Sequence, residues 1–164
     1  MLIQVLIGEH DTSDSIVDKR DVAKITNHPK YENEDGHYDV AVLYLSSSII
    51  FSDTIAPICL PTSTQSLYTG QVATVTGWGL TSNDGSSAST LQEVELDVIS
   101  NEACKDYYPG KIDRFEILEQ NNDLSGIINI NLCFDRFHIC AGGDVKGSCQ
   151  GDSGGPLMLI ENGR

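Results

Sequence analysis

Basic residues are scarce in this 164-residue chain, which has 10 Lys and Arg against 24 Asp and Glu and a net charge of −14. Such a charge argues against nucleic acid or an anionic membrane surface as a partner. No apolar run in the sequence reaches the ~18 residues that a transmembrane helix needs. The apolar residues 1–7 also lack the basic region and the cleavage site of a signal peptide.

Closely spaced cysteine pairs are absent as well. The five cysteines form no C-x-x-C pair of the kind found in zinc sites and thioredoxin-like motifs. We therefore expect neither a metal nor a cofactor, and we interpret the cysteines as disulfide formers in an oxidising compartment. Because five is an odd number, at least one cysteine must lack a partner within the chain.

Helical periodicity is missing from almost the whole sequence, and short alternating or apolar runs take its place. Such runs predict strands at residues 2–7, 38–45, 72–76, 94–98 and 157–160. Ser100 is positioned to cap a short helix that carries Cys104. The pattern predicts an all-β protein.

The most informative stretch is C-Q-G-D-S-G-G-P-L at residues 149–157, with Ser153 at its centre. Glycines let a chain turn sharply and present a hydroxyl and several N–H groups to one small volume, which acyl transfer requires. The segment also fits the G-x-S-x-G elbow of α/β-hydrolases. However, an elbow serine is followed by a helix, whereas Pro156 and the apolar run after it predict a strand. A glycine-rich turn with an incidental serine is the remaining alternative.

These nine residues closely resemble the active-serine segment C-x-G-D-S-G-G-P of the trypsin/chymotrypsin-like serine peptidases. Further similarities are Asp39 within Y-D-V-A-V-L, the H-P-x-Y of residues 28–31 at the end of a strand from residue 22, and the G-W-G of residues 77–79. The resemblance implies a two-barrel all-β fold, truncated in both barrels. It also implies a secreted, extracellular serine endopeptidase whose partners are protein or peptide substrates and protein inhibitors.

The resemblance also implies a domain division. Residues 1–62 would form a partial N-terminal barrel, the Ser/Thr-rich residues 63–70 a linker, and residues 71–164 a partial C-terminal barrel. We expect further family segments upstream and downstream of these residues.

The family's catalytic roles fall on four matching positions. Ser153 would be the nucleophile that forms the acyl-enzyme, Asp39 would orient the base, and the N–H groups of Gly151 and Ser153 would form the oxyanion hole. Asp39 opens an apolar strand, so we expect it to be desolvated on one side. Asp152 would pair with the ammonium of an activated N-terminus, and without that ammonium we expect a carboxylate with no partner.

Substrate specificity in this family is determined at the floor of the S1 pocket, six residues before the serine. That position is Gly147, and Ser148 and Gln150 belong to the same pocket by resemblance. Trypsin-like members carry aspartate there, which pairs with a substrate Lys or Arg. Gly147 and the adjacent Lys146 instead favour an apolar or mixed pocket.

The catalytic histidine is the missing component. In the family it lies in a T-A-A-H-C segment, and none of His10, His28, His37 and His138 has that context. His37 is two residues from Asp39 but lies on a predicted loop, so we do not expect it to act as the base. We predict an endopeptidase by ancestry that is inactive as this chain. The alternative is a non-catalytic homologue that binds proteins in extracellular fluid.

The resemblance pairs Cys104 with Cys140 in a disulfide. It pairs Cys149 with a cysteine downstream of residue 164 and Cys59 with one upstream of residue 1. Cys133 lies in an apparent insertion at residues 116–137, which ends with a second copy of the D-R-F tripeptide of residues 113–115. The insertion is either a translated non-coding segment or a surface loop.

The loop that begins at Gly8-Glu9 resembles a segment that binds calcium in some family members. Glu9 matches one ligand, but Asp18-Lys19 stands where a second is expected and the loop looks shortened. We therefore expect a solvated acidic loop, with calcium binding as the alternative.

Overall fold

The computed structural model describes residues 3–14, 18–31, 38–61, 68–82, 84–107, 139–142 and 146–160. The predicted insertion at 116–137 and all but the last three residues of the predicted linker lie outside these ranges. The described part contains seven strands and one short helix, which confirms the all-β prediction. They are β1 (Gln4–Ile7), β2 (Asp18–Asn27), β3 (Ala41–Leu45), β4 (Val72–Gly77), β5 (Gln92–Ile99), α1 (Asn101–Tyr107), β6 (Cys140–Ala141) and β7 (Leu157–Met158).

The strands form two antiparallel sheets, and the described residues close neither of them into a barrel. The first sheet has the order β1-β2-β3 and the second the order β6-β5-β4-β7. In the described part of the chain α1 is the one helix, and it is not long and apolar enough to cross a membrane.

The first sheet has both of its faces largely open to solvent. Its outer strand β3 is apolar in sequence, yet Val42 is 54% exposed and Leu43 is 43% exposed. None of the described residues before Tyr68 is buried. Hydrogen bonding between its strands, rather than a packed interior, therefore holds this sheet together.

Within the described residues, the hydrophobic core lies in the second sheet and its surroundings. On the central strands the alternating residues Ala73 and Val75 of β4 and Leu96 and Val98 of β5 point to one face and are buried. Tyr68, at the end of the predicted linker, packs into the same core. This period-two burial is what the alternating sequence of both strands predicts.

The short helix begins as predicted from its capping residue. The Ala103 N–H donates to the Ser100 hydroxyl at 3.0 Å, which satisfies one of the free donors of the first turn. The helix contains Cys104, which forms a disulfide with Cys140 of β6 across a Cα–Cα distance of 6.3 Å. This is the pair that the family resemblance implied.

Residues 8–14, which we call the docking loop, join the first sheet to the second. The Leu91 N–H donates to the His10 carbonyl at 2.8 Å, and the Thr12 N–H donates to the Ser89 carbonyl at 2.8 Å. Between these bonds Asp11 and Thr90 form an isolated antiparallel bridge. The loop is thus held on residues 89–91, the segment that leads into β5, while most of its residues remain exposed.

Asp11 organises the docking loop internally. Its Oδ1 accepts from the Ser13 hydroxyl at 2.7 Å and from the Ser13 N–H at 3.0 Å. These bonds lower the pKa of the Asp11 carboxyl below its ordinary value of 3.8. Because the pKa is lower in the folded state, the resulting stabilisation is complete above that ordinary value and is lost as the pH falls through the folded pKa.

The position of the core predicts unequal effects of two leucine truncations. Leu96→Ala removes a side chain that is 3% exposed and should lower the free energy of unfolding by about 2–5 kcal/mol. Leu43→Ala, at a side chain that is 43% exposed, should lower it by no more than about 1 kcal/mol, because little apolar surface is lost. Urea denaturation of both variants measures the difference, and equal losses would contradict a core confined to the second sheet.

Candidate active site

The turn that carries Ser153 lies at one end of the second sheet. Strand β7 follows Ser153 by four residues and pairs antiparallel with β4, with Leu157 opposite Val75 and Met158 opposite Thr74. In an antiparallel pair, the segment before one strand lies beside the segment after the other. The Ser153 turn therefore meets the G-W-G segment with which β4 ends.

Two glycines in left-handed conformations shape the turn. Gly151 has φ of 100° and Gly154 has φ of 83°, values that residues with a Cβ rarely adopt. The Gly155 N–H closes the turn by donating to the Asp152 carbonyl at 2.9 Å. Ser153 is exposed between them, and the described chain after it continues into β7 rather than into a helix. This excludes the nucleophile elbow of an α/β-hydrolase.

Asp152 is held by backbone donors on both sides of its carboxylate. The Gly79 N–H donates to Oδ1 at 2.7 Å, and the Cys149 N–H donates to Oδ2 at 2.8 Å. The prediction of a carboxylate without a partner was therefore wrong. The physical reason is that N–H groups of a turn satisfy an anion as a side-chain cation does, and these charge-assisted bonds are strong.

The two glycines of G-W-G leave room for that carboxylate. A Cβ on Gly79 would lie 2.5 Å from Asp152 Oδ1, and a Cβ on Gly77 would overlap the same oxygen. Gly151 also approaches closely, since its Cβ would lie 3.0 Å from the Gly79 Cα. The G-W-G segment and the Ser153 turn are thus packed backbone to backbone around Asp152.

The two predicted oxyanion donors belong to this fixed turn. Within the described part of the chain, neither the Gly151 N–H nor the Ser153 N–H donates a hydrogen bond. An unpaired N–H group next to an exposed hydroxyl is the kind of donor that stabilises an oxyanion.

Asp39 is placed differently from the expectation. It is exposed, and among the described residues no group donates a hydrogen bond to its carboxylate. It occupies the centre of a three-residue turn in which the Val40 N–H donates to the Tyr38 carbonyl at 2.7 Å. The prediction that Asp39 is desolvated on one side was wrong, because the neighbouring strand β3 is itself open to solvent.

The two described histidines have structural contacts. The His28 ring stacks on Tyr38 with ring centroids 4.6 Å apart, and His28 Nδ1 accepts from the Lys30 N–H at 3.2 Å. His10 contributes its backbone carbonyl to the docking of its loop. The structure brings neither imidazole to Ser153 by any described hydrogen bond, and His37 and His138 lie outside the described residues.

The predicted specificity residues flank the same turn. Gly147 and Ser148 are half-buried, and Gln150 is exposed. The Gln150 carbonyl accepts from the Leu80 N–H at 2.8 Å, a further link to the G-W-G end of β4. Lys146 borders an open cleft of about 390 Å³ that is also lined by Glu93 and Glu95.

Two described cysteines outside the disulfide have free thiols. Cys149, at the start of the serine segment, is half-buried and has a free thiol, and Cys59 is exposed and free. Among the described residues, no three His, Cys, Asp or Glu side chains are grouped to hold a metal ion. Asp18, where a second calcium ligand was considered, pairs instead with Arg20.

Sequence reasoning recognised the G-W-G motif but did not identify Gly79 as the donor to Asp152. It also missed the indole Nε1–H of Trp78, which donates to the His10 carbonyl at 3.3 Å. Backbone donors carry no residue-type signal. The adjacent glycines were the available clue, because a missing Cβ beside a large aromatic residue often marks a close backbone approach.

Comparison with known proteins identifies relatives of this chain. The Trypsin family profile matches residues 1–162. The chain is 39% identical over 162 residues to serine proteinase stubble and 34% identical over 160 residues to serine protease filzig, both of Drosophila melanogaster. It covers only 18% and 8% of those proteins, while 95% and 94% of the chain is aligned.

A third relative is the venom peptide isomerase heavy chain of Agelenopsis aperta. It is 31% identical over 150 residues, which are 92% of this chain and 55% of that protein. The chain thus spans less than two thirds of each of these three relatives.

The support of Asp152 predicts an order of stability among three variants. Asp152→Ala leaves the buried Gly79 N–H and the Cys149 N–H without acceptors and should cost about 1–3 kcal/mol of unfolding free energy. Asp152→Asn keeps one carbonyl acceptor and should cost less. Ser153→Ala, at the exposed neighbour, is the control and should stay within about 0.5 kcal/mol. Urea denaturation measures all three, and an Asp152→Ala variant as stable as Ser153→Ala would refute the role of the carboxylate.

Proposed function

Because this chain belongs to the trypsin family, we propose that it is the part of a serine endopeptidase that carries the nucleophile Ser153. The observation that supports this most directly is the hydrogen-bonded turn around Asp152. In it the exposed Ser153 lies between Gly151 and Gly154, whose left-handed conformations shape the turn.

The proposed chemistry is acyl transfer to water through the Ser153 hydroxyl. Attack of Oγ on a peptide carbonyl gives a tetrahedral oxyanion that accepts hydrogen bonds from the Gly151 and Ser153 N–H groups. A base takes the Oγ proton during the attack and gives it to the leaving amine when the C–N bond breaks. This leaves an acyl-enzyme on Oγ, which water then hydrolyses. Asp152 would hold the Ser153 turn in place during formation and hydrolysis of the acyl-enzyme without touching the substrate.

The base is the component that the described residues do not supply. A serine hydroxyl is a weak nucleophile until a base within hydrogen-bond reach removes its proton. His28 is stacked on Tyr38, and Asp39, which would orient an imidazole, has no hydrogen-bond donor among the described residues. We therefore propose that the chain by itself does not hydrolyse peptides.

A second candidate is a non-catalytic homologue that binds proteins outside the cell. The described residues are compatible with it, because no described imidazole is hydrogen-bonded to Asp39 or Ser153. A coding sequence that continues upstream to A-A-H-C favours the peptidase. Another residue in place of that histidine favours the binding protein.

The proposal extends to where such a protein acts. Extracellular location is supported by the Cys104–Cys140 disulfide, because disulfides persist in oxidising compartments. Protein or peptide substrates and protein inhibitors are the partners that an exposed serine turn of this kind would meet.

A fluorophosphonate probe tests the state of the nucleophile. We expect this chain to be labelled at Ser153 no faster than the background labelling of Ser153→Ala, because no described residue supplies a base that activates the hydroxyl. Intact-mass spectrometry after incubation measures the adduct. Rapid stoichiometric labelling that Ser153→Ala abolishes would overturn the claim that the chain lacks its base.

A polypeptide that contains both this chain and a catalytic histidine allows a test of specificity. We expect kcat/KM for peptides with an apolar P1 residue to exceed that for P1 arginine, because Gly147 offers no charge to pair with it. Gly147→Asp should raise the P1 arginine value by at least about tenfold, and Lys146→Gln is the control for general charge. Preferred cleavage after arginine by the unmodified protein would contradict the assignment of Gly147.

A further inference from the structure

The docking loop is connected to the Ser153 turn by a short series of hydrogen bonds. The His10 carbonyl of this loop accepts from Leu91 N–H and also from the Trp78 indole at 3.3 Å. Trp78 stands between Gly77 and Gly79, and the Gly79 N–H donates to Asp152. Asp152 is covalently adjacent to Ser153. One residue, Trp78, thus connects a loop of the first sheet to the support of the nucleophile.

We propose that Asp11 and Trp78 are positioning residues for the Ser153 turn, and that docking of residues 8–14 sets the position of the Gly79 N–H under Asp152. This inference rests on the proposed function, because it assumes that the Ser153 turn presents a nucleophile. Neither residue touches substrate, and both act through the backbone of Gly79.

The first step of the argument is that the docking loop has a defined shape. Asp11 Oδ1 accepts both donors of Ser13, and the Asp14 N–H donates to the Asp11 carbonyl at 2.8 Å. Asp11 Oδ2 additionally accepts from the Thr90 hydroxyl at 3.4 Å. The carboxylate therefore holds the loop folded and attaches it to the segment on which the loop docks.

The second step is that the G-W-G segment has little freedom to move without displacing Asp152. Gly77 is paired with Gln92 in the sheet, and the Gly79 carbonyl accepts from the Ala88 N–H at 3.2 Å. Where the G-W-G segment and the Ser153 turn approach most closely, there is no space for a Cβ on Gly77 or Gly79. Closely packed backbones transmit a displacement rather than absorb it, so a shift of Trp78 reaches the Asp152 carboxylate.

Hydrogen exchange in the full chain tests the proposal without requiring catalysis. The readout is exchange of the Gly79 N–H, which donates to Asp152, relative to the Val98 N–H, which donates to the Gln71 carbonyl in the core. Asp11→Ala and Trp78→Phe should each accelerate Gly79 exchange about fivefold, since each removes hydrogen bonds that hold the loop in place. Val98 exchange should be unchanged.

The matched control is Asp14→Ala, which removes the same charge from the same loop at a carboxylate that has no hydrogen-bond donor among the described residues. It should leave Gly79 exchange at the wild-type rate. Asp11→Asn retains a carbonyl oxygen for the Ser13 N–H and should partly restore the protection lost in Asp11→Ala. As the chain has a single tryptophan, its one indole N–H resonance also reports directly whether the loop is docked.

Three outcomes would overturn the proposal. They are Gly79 exchange that is unchanged in both variants, Gly79 exchange that rises only in step with Val98, and Asp14→Ala acting as strongly as Asp11→Ala. Should Trp78→Phe fail to fold, Asp11→Ala and Asp11→Asn still decide the question. Exchange at Gly79 is independent of labelling at Ser153, so failure of this inference and failure of the proposed peptidase function give different results.

Discussion

The structure around the candidate site depends on how one carboxylate is satisfied. Asp152 is half-buried, and a charge removed from water is tolerated only when it is hydrogen-bonded. The Gly79 and Cys149 N–H groups meet that requirement. Several features follow from it. Residues 77 and 79 must lack side chains, β4 must end where the Ser153 turn begins, and the turn must take the left-handed conformations of Gly151 and Gly154.

Much of the fold could be predicted from local sequence. Alternation of apolar residues located β4 and β5, because one face of each strand is buried and the period is two. Ser100 located the start of α1, because its hydroxyl satisfies a free N–H group of the helix. Features of this kind depend on the residue itself and its neighbours in the chain, and for that reason a single sequence reveals them.

The predictions that were wrong depended on elements distant in the sequence. Asp39 was expected to be desolvated because β3 is apolar, but burial requires something packed against the strand, and the described first sheet has no such layer. Asp152 was expected to lack a partner because only side-chain cations were considered. One donor is a backbone N–H 73 residues away and the other is a backbone N–H three residues away. Every residue except proline has such a group, so composition cannot indicate which ones are used.

The two sheets differ in what stabilises them, and this gives the docking loop a second role. The second sheet has its own core and a disulfide at its edge, whereas the first sheet buries none of its described apolar side chains. The bonds of His10 and Thr12 to residues 89–91 are thus among the described attachments of the sheet without buried side chains to the sheet that carries the core. Regions with few buried contacts open more readily than regions with many, so the first sheet should open before the second. When it opens, Trp78 loses its bond to the loop while Val98 stays packed. The support of Ser153 would then weaken before the core that carries it unfolds.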